Sequence, residues 1–261
     1  MRILLTNDDG IDAVGLASLE RIAGALSDDV WVVAPELEQS GASRAMTLTE
    51  PVRVRRLGSK KFAVSGTPTD CVILAMTDLV VGAKPDLVLS GVNRGANLGE
   101  DISMSGTVAG ALEGMVLGIR SIAISQEADY TSPEPTARFE TAEAHAPGVL
   151  AQLLKVGWPD GVVINLNFPD MPPDKVTEVE VTRQGFRDIH NLHAERRTDL
   201  RGRDYYWMGY FGRTTPEVEG TDLAAIVHGR ISVTPIHIDL THPPTVQALK
   251  HALGGTPPKM S

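Results

Sequence analysis

Cysteine is almost missing from this chain: Cys71 is the single thiol in 261 residues. One thiol excludes an intramolecular disulfide framework and cannot build a thiolate metal cluster. Its neighbours in TDCVILAM are apolar, so Cys71 reads as a small buried hydrophobe rather than a nucleophile. Positive charge is also scarce, with 24 Lys and Arg against 33 Asp and Glu and a formal net charge of −9. That balance argues against long nucleic acid or an anionic membrane as partner, because both demand positive surface potential. A small anion could still bind, given a local positive device such as a metal ion or a helix N-terminus. No apolar run approaches the ~18 residues of a membrane span, and the first one is broken by Thr6 and Asp8. These absences lead us to expect a cytoplasmic protein.

What is present is an alternation of two periods. RILLT, DVWVVAP, FAVSG, PDLVLSG, SIAIS and GVVINLN are short apolar runs bounded by turn residues, and helix-period segments separate most of them. Leu16, Leu19, Ile22, Ala23 and Leu26 recur at helical spacing, whereas Val30 to Val33 form the continuous block of a strand covered on both faces. The pattern predicts an α/β fold with a parallel sheet and helices on both faces. PTDCVILAMTDLV, with Pro68 at its first position, TARFETAEAHAPGVLAQLLKV and TVQALKHAL are further helices; TEVEVTR is a further strand. The length suits a single domain, with a core over about 1–184, an arm over about 185–230, and a C-terminal strand and helix over 231–261.

In an open parallel sheet, ligands bind beyond the carboxyl ends of the strands, where strand order reverses. Three such ends carry polar cargo. LLTNDDG delivers Asp8 and Asp9, VVAPELEQSGAS delivers Ser40 and Ser43, and LVLSGVNRGANLG delivers Asn93 and Asn97. Asn-Asp-Asp-Gly alone is ordinary turn chemistry; three such loops at neighbouring strand ends are a site. Carboxylates, a hydroxyl and a carboxamide are hard oxygen donors, which favour Mg²⁺, Mn²⁺ or Ca²⁺ over Zn²⁺ or Cu²⁺. A divalent ion would also relieve the repulsion between adjacent carboxylates. In SMSGTVAGALEG, Ser105, Gly106 and Thr107 open a helix whose free N–H groups make a phosphate seat, while Ala109, Gly110, Ala111 and Gly114 suit close packing on the sheet.

From Gly185 to Glu219 the character changes. Phe186, Tyr205, Tyr206, Trp207, Tyr210 and Phe211 lie among arginines, with Asp188, Glu195, Asp199 and Asp204 diluting their charge. This predicts an extended C-terminal β-hairpin arm that buries its aromatics against a second subunit, since a protruding ribbon cannot bury them alone.

ILLTNDDGIDAVG, VVAPELEQSGAS, SGTPTDCV, PDLVLSGVNRGANLGEDISMSGTVAGALEG, VTRQG and ISVTPIHIDLT together resemble the SurE (survival protein E) family over essentially the whole chain. The resemblance implies a metal-dependent phosphohydrolase that converts nucleoside 5′-monophosphates, and in some members 3′-monophosphates or polyphosphate, to nucleoside and inorganic phosphate. It implies one divalent ion per subunit, Mg²⁺ or Mn²⁺ with Ca²⁺ or Co²⁺ as alternatives, on Asp8, Asp9, Ser40 and Asn93. Asn97, Ser105, Gly106 and Thr107 become the phosphate-binding residues. It further implies a Rossmann-like, mostly parallel sheet followed by a C-terminal arm, and a homodimer or tetramer assembled by exchanging that arm, with no nucleic acid or membrane as partner. Asp8 is expected to accept the proton of the attacking water, with Asp9 the alternative. An aspartyl-phosphate route of the Asp-x-Asp kind is disfavoured by Gly10, and a serine elbow by Ser103 where glycine is required. The competing reading from another class is a nucleotide-sensing module, which would not need the paired carboxylates.

Overall fold

The structure is a computed structural model that describes residues 1–129, 136–187, 192–210 and 218–254. The first strand, β1 (Arg2–Thr6), sets the plan: Ile3 and Leu5 face one way and Leu4 the other, and all three are fully buried. A strand buried on both faces needs a helical layer on each. On the Ile3/Leu5 side lie Leu16, Leu19 and Ile22 of α1 (Val14–Gly24), and with them Ala142, Ala146 and Leu150 further along the chain. The next strand, β2 (Asp29–Pro35), supplies Trp31 and Val33 to the other layer, where they meet Leu4.

The remaining elements in chain order are β3 (Val54–Arg56), β4 (Lys61–Val64), α2 (Pro68–Leu74), β5 (Leu87–Arg94), α3 (Gly106–Val116), β6 (Arg120–Gln126), the short pair β7 (Ala128–Asp129) and β8 (Thr136–Ala137), α4 (Phe139–Val156), β9 (Val162–Phe168), β10 (Val179–Val181), β11 (Leu192–Thr198), β12 (Asp204–Tyr210), α5 (Asp222–Val227), β13 (Ile231–His237) and α6 (Pro243–Leu253). Nine strands form the central sheet in the order β10-β13-β9-β6-β5-β1-β2-β4-β3. Strands β4, β2, β1, β5, β6 and β9 run parallel, and the antiparallel β3 and β13 flank them. Helices α1 and α4 pack together on one face, α2 and α3 on the other. The α/β expectation holds. Strand order reverses at β1, since the chain builds outward through β2 and β4 and then crosses back by α2 to lay β5 on the opposite side of β1. The carboxyl ends of β1 and β5 therefore bound the crevice where this architecture binds ligands.

Helix α2 begins as its sequence requires. The Thr67 hydroxyl accepts from the Asp70 N–H, the Asp70 carboxylate accepts from the Thr67 N–H at 2.9 Å, and Pro68 occupies the first turn. The same carboxylate takes the Thr47 N–H and hydroxyl at 3.0 and 2.6 Å, so one buried acid fastens both the helix and the preceding loop. Helix α2 runs into a single π-helical turn, Ala75–Leu79. Cys71, in α2 itself, lies fully buried, and burial pushes its thiol well above the ordinary range.

The arm is narrower than the sequence suggested. Strands β11 and β12 pair antiparallel as a hairpin, with Tyr206, Trp207 and Met208 exposed. Helix α5, inside the range expected for the arm, instead buries Leu223 and Ile226 against Leu98, so it belongs to the body. Its single apolar turn was masked by the aromatic stretch before it. Asp188, Phe211 and Arg213 of the expected arm lie outside the described residues.

Asp70→Ala would strand several donors and remove the reciprocal half of the capping box of α2. It is expected to lower the free energy of unfolding by about 1–3 kcal/mol in urea denaturation; a change within about 0.5 kcal/mol would mean the loop and helix do not depend on this carboxylate.

Candidate active site

Beyond β1 the chain turns at once: the Asn7 amide donates to the Gly10 carbonyl at 2.8 Å, and the Ile11 N–H reaches the Pro35 carbonyl at 2.7 Å. The turn leaves Asp8 and Asp9 at the strand end, and the Gln39 N–H on the Asp8 carbonyl, at 2.7 Å, ties the β2 loop beside them. Asp8 is 5% exposed. Its carboxylate accepts the Thr107 hydroxyl at 2.5 Å together with the Thr107 backbone N–H, so it sits on the first turn of α3. Burial nevertheless outweighs these donors and raises the Asp8 pKa. Asp9 accepts the Arg94 N–H at 3.1 Å; burial first, and then the charge of Asp8, push its pKa up to about 6. Two adjacent acids that are both unfavourable as anions call for a positive charge.

The approach of α3 depends on Gly106. A Cβ there would lie 2.7 Å from the Asp8 Cβ and 2.8 Å from Oδ2, closer than side chains tolerate. Ser105 is the N-cap, its hydroxyl accepting the Val108 N–H at 3.0 Å. On β5, the register against β6 shifts between Ser90 and Asn93, and Gly91 takes φ +137°, a conformation that side chains resist. The Asn93 amide then donates to the Gly95 carbonyl at 2.7 Å. From the β2 loop, the Ser40 hydroxyl donates to Glu38 at 2.9 Å.

Asp8, Ser40, Asn93, Asn97 and Ser105 line one cleft of about 270 Å³, with Arg94, Asp101 and Met104 completing the wall. The other expected residues stand next to it. Asp9 lines a second cleft that shares Arg94 with the first, Gly106 is buried against Asp8, and Thr107 is fully buried with its hydroxyl and N–H directed at Asp8. In this arrangement Thr107 holds a carboxylate in place.

Sequence reasoning missed the supports of Asn97. Asn165 and Asn167 on β9 both donate to the Asn97 carbonyl, at 2.8 and 3.3 Å, and Asn167 accepts the Asn97 N–H at 2.9 Å. The Asn97 amide donates to Ser125 at 2.9 Å. Two residues later, fully buried Asp222 accepts the N–H groups of Gly99 and Gly185 at 2.8 Å each, joining the cleft loop to the root of the arm. The signal was available: amides at alternate positions of the apolar strand VVINLNF must find buried partners.

The donor set fits a hard divalent cation. Asp8, Asp9, Ser40 and Asn93 offer oxygen only, and among the described residues no group of three or more His, Cys, Asp or Glu competes as a metal site. The two raised carboxylates are the electrostatic counterpart of such an ion.

Fold and site together define a doubly wound α/β protein with a paired-carboxylate centre at its switch point. The sequence model of the family described as Survival protein SurE matches residues 3–191. The chain is 64% identical over 259 residues to the 5′-nucleotidase SurE of Caulobacter vibrioides (strain NA1000 / CB15N), covering 99% of this chain and 98% of that protein. It is 65% identical over 260 residues to the 5′-nucleotidase SurE of Phenylobacterium zucineum (strain HLK1), covering 100% of both. The crystal structure of the SurE protein from Aquifex aeolicus superposes with a TM-score of 0.81 at 37% identity, over 97% of this chain and 99% of that one. The chain belongs to the SurE family.

Gly106→Ala must push α3 and Asp8 apart. Turnover is expected to fall by about 10²-fold, as a displacement of about 1 Å can cost, with a stability loss of about 1–3 kcal/mol. Steady-state kinetics beside thermal melting checks this; wild-type turnover would show that the helix tolerates retreat.

Proposed function

We propose that this protein is a metal-dependent 5′-nucleotidase, hydrolysing nucleoside 5′-monophosphates to nucleoside and inorganic phosphate. The observation that carries the reading is a buried carboxylate, Asp8, set against the first turn of a helix in the same cleft as Ser40, Asn93 and Asn97. The high identity to proteins named 5′-nucleotidase SurE supports it.

Asp8, Asp9, Ser40 and Asn93 would hold one divalent ion, Mg²⁺ or Mn²⁺, which when bound supplies charge neutralisation and a more acidic water. The chain's own groups do the rest. Asp8, kept in orientation by Thr107, accepts the proton of the water that attacks phosphorus in line with the leaving ribose oxygen. Ser105, Asn97 and the Gly106 N–H face the phosphoryl oxygens, where a helix N-terminus offers positive potential to the charge that develops. Thr107 acts through Asp8 as a positioning residue.

The hairpin completes the reading as an assembly device. Tyr205, Tyr206, Trp207 and Met208 are successive on β12, so both faces of the ribbon expose large side chains, at 42%, 57%, 62% and 74%. A two-stranded ribbon covers neither face by itself; a second copy would, giving a dimer or a tetramer through exchanged arms. No helix among the described residues is long and apolar enough to cross a membrane. With its one thiol reduced and buried, the chain suits the cytoplasm.

Phosphate release from nucleoside 5′-monophosphates is expected with Mg²⁺ or Mn²⁺ and to vanish in EDTA. Asp8→Asn is expected to lower kcat by about 10²–10⁴-fold. In the same preparations Mn²⁺ should raise the melting temperature of wild type and not of the variant, since an ion stabilises only a fold that binds it. An active Asp8→Asn enzyme would overturn the assignment. Sedimentation equilibrium should give a mass of two or four chains, and Trp207→Ser should shift it toward one; an unchanged assembly would remove the hairpin from the interface.

A further inference from the structure

Beside the reaction cleft lies a second one of about 400 Å³, more apolar than the first, whose apolar walls the chemistry above leaves unused. Its walls include Val14 from the start of α1, Phe139 from the start of α4, and the polar residues Asp9, Glu38 and Arg94. The two clefts adjoin one another at Arg94. Asp8 lines the first and Asp9 the second; Ser40 lines the first and its hydrogen-bond partner Glu38 the second; Arg94 lines both. A group esterified to a phosphate in the first cleft thus has the second as its neighbour.

We propose that this second cleft seats the nucleoside of the substrate, with the base against Phe139 and the ribose hydroxyls turned toward Glu38. The inference rests on the nucleotidase reading and adds where the enzyme tells a nucleotide from another phosphate monoester. The volume falls within the range of small-molecule sites, and an apolar lining with a few convergent polar groups is their usual make-up. Phe139 is half-buried, its inner side packed against the α1 layer, so the ring is a fixed platform. Bases of every kind stack on such a ring. Glu38 is an exposed carboxylate, a pure acceptor when ionised, and hydroxyls are the donors a nucleoside offers on its sugar. The exposed Arg94 side chain, common to both clefts, would lie beside the sugar that joins base to phosphate.

The test compares AMP with ribose 5-phosphate, which keeps the sugar and the scissile phosphate and lacks the base. Val14 is 67% exposed at the cleft, so Val14→Trp fills it without disturbing the core. KM for AMP is expected to rise about tenfold or more, the scale of one lost stacking contact, while kcat/KM for ribose 5-phosphate stays within about twofold. Phe139→Leu, which keeps the packing against α1, should move the same ratio in the same direction. Glu38→Gln should raise KM for AMP more than for 2′-deoxy-AMP. Equal effects of Val14→Trp on AMP and ribose 5-phosphate, or none, would overturn the proposal. Adenosine binding by calorimetry provides a second readout that needs no turnover. If wild type hydrolyses neither ester, the nucleotidase reading fails by itself; the cleft then stands if wild type binds adenosine and Val14→Trp does not, and falls if the two bind alike or neither binds.

Discussion

The buried carboxylate of Asp8 is the constraint around which this molecule is arranged. An ionised acid removed from water costs several kcal/mol unless donors and opposing charge meet it. Here the donors come from Thr107, whose hydroxyl and N–H both reach the carboxylate, and from the helix dipole that the first turn of α3 presents. Burial still prevails and raises the pKa. The site is therefore left electrostatically incomplete by design of its own packing, and that deficit is what a divalent cation would satisfy. Stability is given up at the strand end to hold a cation-hungry acid in a fixed orientation.

Such an arrangement requires helix α3 to come unusually close to the sheet, and its sequence allows this. Gly106, Gly110 and Gly114 recur every fourth residue and so share a face. A Cβ at Gly110 would stand 2.8 Å from Thr6 of β1 and Ser90 of β5, and one at Gly114 would stand 2.5 Å from Ser121 of β6. Thr6, Ser90 and Ser121 are themselves small. The same stripe that lets the helix lie on three parallel strands brings its first turn onto Asp8, so the packing of the core and the geometry of the site are one feature.

Much of this was legible beforehand, for reasons particular residues make clear. The β1 alternation of Ile3, Leu4 and Leu5, the helical spacing of Leu16, Leu19 and Ile22, and the turn residues after each strand are local properties, and local properties survive in sequence. The small-residue helix beginning at Ser105 was recognisable as closely packed for the same reason. Asp8, Asn93 and Ser40 could be grouped because parallel topology brings strand ends together whatever the intervening length. The contact between Thr107 and Asp8 was not legible, because the two are 99 positions apart and are brought together by a backbone approach that only the fold defines. Asn165 and Asn167 were read as part of an apolar strand, and Asp222 as part of an arm. Each serves a loop more than 60 residues distant.

The electrostatics of the whole chain give these local devices their purpose. At a net charge of −9 the protein repels the phosphate dianion it is proposed to hydrolyse, so attraction has to be short-ranged and confined to the site. The first turn of α3, a cation on the paired acids and the exposed Arg94 are all of that kind. Long nucleic acid binds through many phosphates at once and draws its affinity from many positive charges, which a net charge of −9 opposes. A small monoester needs one point of attachment. On the reading proposed above, the neighbouring apolar cleft then distinguishes small monoesters by what the phosphate carries.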